Sequence, residues 1–294
     1  MLSNNVTVCI FAWNEETRIL RCIDNFKHTF KMLVVDNFSI DNTVGMVRQA
    51  GQACVSIKNP GFIETPEVME PLMAACTTDY LLIASVSEFV PLALQQEYAR
   101  VADSGSYDVV RAYRVSITAG EPVPISGKPR RAVDGDIRFF KKGAVSYLNN
   151  QVHGRGTPVC SDERILNAVM NPSLHFYQFR DYDCSKTESV HCRYDDVLAE
   201  QRFDAGERFS WSRALYGTFR SFFASYLRSG SYRYGMLGFL HCYYRAHMEF
   251  TVWLRIWEWE NGYTRPDVIE RNSDVRASME ARLTATFPVV TAET

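Results

Sequence analysis

The chain has 294 residues, 46% hydrophobic and 22% charged. This excludes a disordered polypeptide and suits one large domain or a domain with an appendage. A formal net charge of −2 carries no whole-chain signature of nucleic-acid binding, so no nucleic acid is expected as a partner. No run reaches the ~18 consecutive apolar residues of a membrane span, which makes the cytoplasm the expected compartment.

The opening "VTVCIFA" is an apolar, β-branched run that reads as a first strand rather than a secretion signal, since no basic segment or small-residue cleavage site accompanies it. In the polar piece that follows, Ile19, Leu20, Ile23 and Phe26 recur at helical spacing. "KMLVVDN" predicts a second strand and "SIDNTVGMVRQAG" a second helix with Gly51 as its stop. "ACVSIK" predicts a third strand, the stretch from Glu67 to Cys76 a third helix, and "DYLLIAS" a fourth strand, with a helix beginning near Pro91. Strands separated by helices imply βαβ crossovers and a mainly parallel sheet covered on both faces.

After residue 105 the connections shorten. "YDVVRAYRVSI", "GDIRFFKKGAVSYLN" and "SLHFYQF" predict strands, with a hairpin turning at Lys142-Gly143. Between the first two lies "GEPVPISGKPRRAVDGD", a loop rich in Gly and Pro. From about Asp183 the pattern is helical. Eight cysteines, Cys9, Cys22, Cys54, Cys76, Cys160, Cys184, Cys192 and Cys242, contain no C-x-x-C pair. They fit reduced, mostly buried thiols better than a zinc site or a disulfide framework.

Open α/β sheets bind ligands beyond the carboxyl ends of their strands. Three polar loops fall there: Ala12 to Glu16, Asp36 to Thr43 and Ser85 to Glu88. Neither G-x-G-x-x-G after the first strand nor a G-x-x-x-x-G-K-[ST] is present, which argues against a dinucleotide fold or a P-loop enzyme. Taken singly, Asn14 and Glu15, or Ser39 and Asp41, have a simpler reading as caps of the helices they precede.

At these residues the sequence resembles a family 2 glycosyltransferase of the GT-A fold, a Rossmann-like nucleotide-diphospho-sugar transferase with a mixed sheet. "VTVCIFAWNEETRILRCIDNF", "MLVVDNFSIDNTVGMVRQAG" and "DYLLIASVSEFVPLAL" carry the likeness, over roughly residues 6 to 95. A weaker likeness in "IRFFKKGAVSYLNNQVHG" and "LHFYQFRDYDCSKTESVHCRY" is to bacterial members that build lipopolysaccharide cores and similar surface glycans. The resemblance implies a GT-A-like domain over residues 1 to 180 and a helical C-terminal region over 181 to 294. It implies that Ala12, Asn14 and Glu15 line a nucleotide pocket, that Asp36 contacts the base, and that Ser39 and Asp41 shape the same loop. Ser85 and Ser87 fall where the family has the two aspartates of its D-x-D motif. Gly154, after His153, falls where related sequences often have Glu.

The expected activity is inverting transfer of a sugar from a nucleotide-diphosphate donor to a bacterial surface-glycan or lipid-linked acceptor; a protein acceptor is not separable by sequence. Family members usually neutralise the leaving diphosphate with a divalent cation held by carboxylates. Serine hydroxyls are poor replacements, and three answers stand open. Lys128, Arg130 and Arg131 supply the positive charge, so that no cofactor is required; or Glu88 holds a weak Mg2+ or Mn2+ with Asp134 or Asp136; or the chain is a non-catalytic nucleotide-sugar-binding or scaffolding protein. The simpler reading of the three cations is a solvated basic loop. Glu88 and His153 are the candidate general bases. His175 reads as a hydrogen-bonded core or supporting group.

Between residues 207 and 260, arginines at 208, 213, 220, 228, 233, 245 and 255 punctuate an aromatic and aliphatic background that includes Trp253, Trp257 and Trp259. Two readings follow: peripheral contact with the inner face of the cytoplasmic membrane, or a cover for the catalytic domain or a homo-oligomer contact.

Overall fold

A computed structural model describes residues 2–122, 135–148, 150, 154–180 and 184–286. The first half alternates strand and helix: β1 (Val6–Ala12), α1 (Ile19–Phe26), β2 (Lys31–Asp36), α2 (Thr43–Gln49), β3 (Ala53–Ser56), α3 (Pro66–Ala75), β4 (Tyr80–Ser85), the short β5 (Glu88–Phe89) and α4 (Leu92–Ser104). Next come β6 (Val109–Ala112), β7 (Arg114–Thr118), β8 (Asp136–Lys141), β9 (Val145–Ser146), β10 (Thr157–Pro158), β11 (Ile165–Asn167) and β12 (Phe176–Arg180). The chain continues through the helices α5 (Cys184–Asp204), α6 (Trp211–Phe223), α7 (Gly235–Asn261) and α8 (Arg265–Thr286).

The main sheet has the order β11-β6-β8-β4-β1-β2-β3. β1 pairs in parallel with both β2 and β4, and β2 with β3, while β8 runs antiparallel between β4 and β6. Alternation along each strand sends side chains to two cores. Val8, Ile10, Leu82 and Ala84 pack on one face with Ile19, Cys22, Ile23 and Phe26 of α1 and with α4. Cys9, Leu81, Ile83 and Phe140 pack on the other face with Met69 and Leu72 of α3. Each fully buried aliphatic or aromatic side chain of this kind contributes about 1.5–3 kcal/mol. Tyr98 of α4 stacks on Phe139 of β8 at 4.5 Å between ring centroids, and Tyr80 lies against the same ring at 5.3 Å. The parallel-rich sheet with one inserted antiparallel strand and a helical C-terminal region is the mixed α/β, GT-A-type architecture expected from the sequence.

Two sequence expectations need correction. "YDVVRAYRVSI" is not one strand: it divides at Tyr113, with β6 in the main sheet and β7 in a second sheet of order β5-β12-β7. A single extended strand cannot serve two sheets that diverge, and the break falls where the apolar alternation is interrupted by Arg111 and Arg114. "FFKKGAVSYL" does turn at Gly143, at φ 81°, but its arms do not form a hairpin. β8 is already flanked on both edges by β4 and β6, so β9 pairs with β10 instead. Of the described cysteines Cys9, Cys22, Cys76 and Cys242 are buried and Cys192 is exposed; all are free thiols. Cys9 and Cys76 face one another at 3.6 Å between sulfurs.

Candidate active site

The first two polar loops are sewn to each other across the carboxyl ends of β1 and β2. The Asn14 backbone N–H donates to Ser39 Oγ (2.9 Å), and the Ile40 N–H donates back to Asn14 Oδ1 (2.8 Å). The Glu15 N–H donates to Thr43 Oγ1 (2.7 Å) and the Glu16 N–H to Asp41 Oδ2 (3.1 Å), while Glu16 Oε2 accepts from the Asn42 N–H at the start of α2 (3.0 Å). These polar residues therefore act mainly across the two loops, and neither α1 nor α2 has a side-chain cap from its own N-cap residue. Within its own loop, Asp41 accepts from the Thr43 N–H (3.0 Å) in an Asx turn. Asn14 and Phe38 both adopt left-handed backbone, at φ 55° and 58°. Asn tolerates this region because its short amide bonds locally; Phe38 does not, so the surrounding bonds must hold it there.

Asp36, 2% exposed at the end of β2, turns its carboxylate into its own loop and accepts from the Ser39 N–H at 3.1 and 3.3 Å. Ala12 is buried, and its carbonyl accepts from the Asn37 N–H (2.9 Å). Glu15 is gripped by Arg18, whose Nε and Nη2 donate at 2.8 and 2.7 Å. Burial raises the Glu15 carboxyl above its ordinary value, against the opposing charges of Arg18 and Lys186. Hydrogen bonds from Thr43 and from backbone N–H groups hold the mostly solvated Asp41 carboxyl below its ordinary value, against a desolvation effect in the other direction. Thus Ala12, Asn14, Glu15, Asp36, Ser39 and Asp41 share one sheet edge. Trp13 and Phe62 meet edge-on beside it at 5.2 Å, and Phe38 and Ile40 are exposed there.

Beside β1, register places Ser85 opposite Phe11, so the third loop adjoins the first two. Among the described residues neither the Ser85 nor the Ser87 hydroxyl has a hydrogen-bond partner. The backbone of both is fixed: the Ser85 N–H donates to Glu88 Oε2 (3.0 Å), and the Ser87 carbonyl accepts from the Phe179 N–H of β12 (2.8 Å). Glu88 does not face solvent. Its side chain is 1% exposed, and its Oε1 accepts from Arg138 Nη2 of β8, itself 3% exposed.

This buried pair is the centre of a larger, half-buried cluster that the sequence reading passed over. Glu64 Oε1 lies 2.7 Å from Arg155 Nη1 and 3.9 Å from Arg138 Nη1, and Arg114 Nε lies 3.3 Å from Asp136 Oδ2. The Glu64 carbonyl accepts from Asn150 Nδ2 (2.8 Å), which ties Asn150 to the β3–α3 loop. Three guanidinium groups thus meet three carboxylates. Burial alone would lower the Arg155 pKa, but Glu64, Asp136 and Glu88 outweigh it and raise it. In Arg114 burial prevails and lowers it. A signal for Arg138 was present in "DIRFF", where a lone cation interrupts a strand that is otherwise buried on both faces; such a charge must meet a carboxylate.

A hard divalent cation finds a poor set of ligands in the Ser85–Glu88 turn: two neutral hydroxyls and one carboxylate whose oxygens are taken by a guanidinium and a backbone N–H. Asp136, the suggested helper, is engaged with Arg114. Lys128, Arg130, Arg131, Asp134 and His153 lie outside the described residues. His175 donates through Nε2–H to the Val169 carbonyl (2.9 Å) and tilts against Tyr113, a supporting position rather than a reactive one.

The helix α5 borders this edge. Val197 packs against Gly61 of the β3–α3 loop, and the charge of Lys186 acts on Glu15.

The sheet order and the three loops define a GT-A-type α/β domain with a polar edge at the carboxyl ends of β1, β2 and β4. The sequence is similar to known glycosyltransferases. Residues 7–67 match the model of Glycosyl transferase family 2. An uncharacterized glycosyltransferase of Rickettsia typhi is 26% identical over 145 residues, 49% of either chain. The lipopolysaccharide core biosynthesis glycosyltransferase LpsC of Rhizobium meliloti is 22% identical over 269 residues, 88% of this chain and 94% of that one. The chain spans about half the length, or less, of the Rickettsia relatives it matches. Among solved structures, S. aureus TarS 1-349 in complex with UDP-GlcNAc superposes with a TM-score of 0.46 at 13% identity, covering 88% of this chain and 92% of that one. Residues 7–67 are thus similar to Glycosyl transferase family 2, and longer stretches of the chain to proteins named glycosyltransferases.

Proposed function

We propose that the protein is an inverting glycosyltransferase that moves one sugar from a nucleotide-diphosphate donor to a bacterial surface-glycan or lipid-linked acceptor, without a metal ion. The observation that carries this reading is the pair of cross-bonded loops, Asn14–Glu16 and Ser39–Thr43, beside the Ser85–Glu88 turn at one sheet edge. A rigid polar rim of this kind suits a nucleotide, with Asp36 and Ser39 toward the base. The likeness to LpsC across most of both chains supports a surface-glycan acceptor.

In the proposed reaction an acceptor hydroxyl oxygen attacks the anomeric carbon as the bond to the diphosphate oxygen breaks. The nucleoside diphosphate leaves with the bonding pair, and the acceptor proton passes to a base. Positive charge for the leaving group comes from Lys128, Arg130 and Arg131, whose forked or point charges suit phosphate oxygens. Serines at 85 and 87 in place of carboxylates keep the turn from repelling that diphosphate. Because both Glu88 oxygens are engaged, its role is to hold the turn, and the base falls to His153.

A second reading has one specific support: the chain lacks both carboxylates of the family's D-x-D motif, as a donor-binding protein without catalysis would. Donor binding and turnover across a nucleotide-sugar panel, with EDTA or Mn2+, separate the possibilities. The proposal expects binding and turnover that EDTA leaves unchanged. Turnover lost in EDTA and restored by Mn2+ overturns the metal-free part, and binding without turnover on cell-derived acceptors selects the second reading. Absence of binding to every donor refutes both. The double variant S85D/S87D should weaken donor binding in EDTA and regain it with Mn2+. Intact turnover after changing Lys128, Arg130 and Arg131 to Ala removes the basic loop from the mechanism.

A further inference from the structure

The C-terminal helices leave a large apolar face uncovered. On α6, Trp211, Leu215, Phe219 and Phe223 follow one another at four-residue spacing, and Leu227 continues the row through a π-helical turn; each is between 45% and 61% exposed. The opposite side of α6 is satisfied: Ala214 is fully buried against Val252, Trp253 and Ile256 of α7. Phe222 and Tyr226 join the row to Phe239 of α7 at 5.6 and 6.4 Å between ring centroids. Met236, Phe239 and Tyr243 extend the exposed surface along α7. Isolated apolar residues on a surface are ordinary, but a continuous face of this length marks an interaction site.

Charge decides what fits it. Between Phe209 and Met248 the chain carries Arg213, Arg220, Arg228, Arg233 and Arg245 and not one Asp or Glu, in a protein whose formal net charge is −2. All five arginines are exposed, and among the described residues none is in an ion pair. A second copy of the chain packed symmetrically on this face would set these cations against their own equivalents with no intervening carboxylate. An anionic lipid surface instead receives both features, aromatic rings at the headgroup boundary and guanidinium groups on phosphates. No helix among the described residues is long and apolar enough to cross a membrane, so the geometry is that of a surface-lying hairpin.

We propose that the α6–α7 face docks the protein onto anionic bilayers, with Phe219 and Phe223 entering the interface and Arg220 and Arg228 meeting lipid phosphates. This placement is independent of whether the chain transfers sugar, since its test does not pass through turnover. The full chain is floated with vesicles of phosphatidylcholine alone or with one quarter phosphatidylglycerol. The expected result is co-flotation with the anionic vesicles only, weakened in about 0.5 M salt. Each cation near an anionic surface favours binding roughly fivefold, so R220E/R228E should reduce partitioning by about twentyfold or more. F219S/F223S, on an exposed face and checked by circular dichroism for retained helix, should reduce it by about tenfold. Failure to float, equal binding to neutral vesicles, or unchanged binding of either double variant overturns the proposal. So does light scattering that shows a dimer in solution abolished by F219S/F223S, which would assign the face to a second copy.

Discussion

Changing Arg138 to Met tests the buried charge cluster directly. Arg138 and Glu88 are 3% and 1% exposed in their side chains, so neither can be rehydrated without opening the sheet edge. Removing the guanidinium leaves the Glu88 carboxylate buried with only the Ser85 N–H, a situation that typically costs about 3–5 kcal/mol. Changing Glu88 to Gln is milder. Arg138 keeps Glu64 at 3.9 Å, whereas Glu88 has no second cation within ion-pair reach among the described residues; the loss is then closer to about 1–3 kcal/mol, that of a charged hydrogen bond. Arg138→Met should therefore destabilise more than Glu88→Gln, and the double change Arg138→Met with Glu88→Leu should cost less than the two single changes summed, since it leaves no lone charge. Urea unfolding followed by tryptophan fluorescence measures all the variants. Against a typical total of about 5–15 kcal/mol, the Met variant should shift the midpoint visibly. A cost below about 1 kcal/mol, or one no larger than that of Glu88→Gln, would refute the view that the two groups are locked together in a dry site.

Two other changes probe different levels of the fold. Asn14→Ala removes the acceptor of the Ile40 N–H and, at φ 55°, the local amide bonding that makes this backbone tolerable for Asn; it should cost about 1–2 kcal/mol and weaken donor binding, measured by calorimetry, while Asn14→Gly should recover the backbone part of the loss alone. Asp195 on α5 is 1% exposed, and neither carboxylate oxygen has a hydrogen-bond partner among the described residues; burial, reinforced by Asp196 and opposed by Arg255, pushes its carboxyl up to about 7. Because the folded state then holds a proton that the unfolded state has released, stability should fall as pH rises from about 4 toward 7. Asp195→Asn should remove that slope in thermal melts between pH 5 and 8, and a slope retained in the Asn variant would count against the burial argument.

The alternation of β-branched runs with helical spacing in the first hundred residues was sufficient to read β1 to β4, their mainly parallel sense and the polar edge beyond them, because each of those elements is decided by local periodicity and by the need to cover both sheet faces. The same edge residues, Asn14, Glu15, Asp36, Ser39 and Asp41, were legible as a group from their positions after strands. Whether Asn14 and Asp41 cap their own helices or bond across to the other loop was not, since both uses draw on the same residue types, and only the spacing of the two strand ends decides between them. Glu88 shows the limit most clearly. In sequence it is a carboxylate in a polar turn, open to a metal, a proton or a salt bridge. Its partner Arg138 lies fifty residues away on an antiparallel strand inserted beside β4, and a pairing between strands that distant is set by the tertiary packing of the sheet, not by any local pattern. What "ASVSE" by itself determined was the absence of two carboxylates where the resemblance led one to expect them; that the remaining one is buried and neutralised was decided only when β8 brought a guanidinium to it.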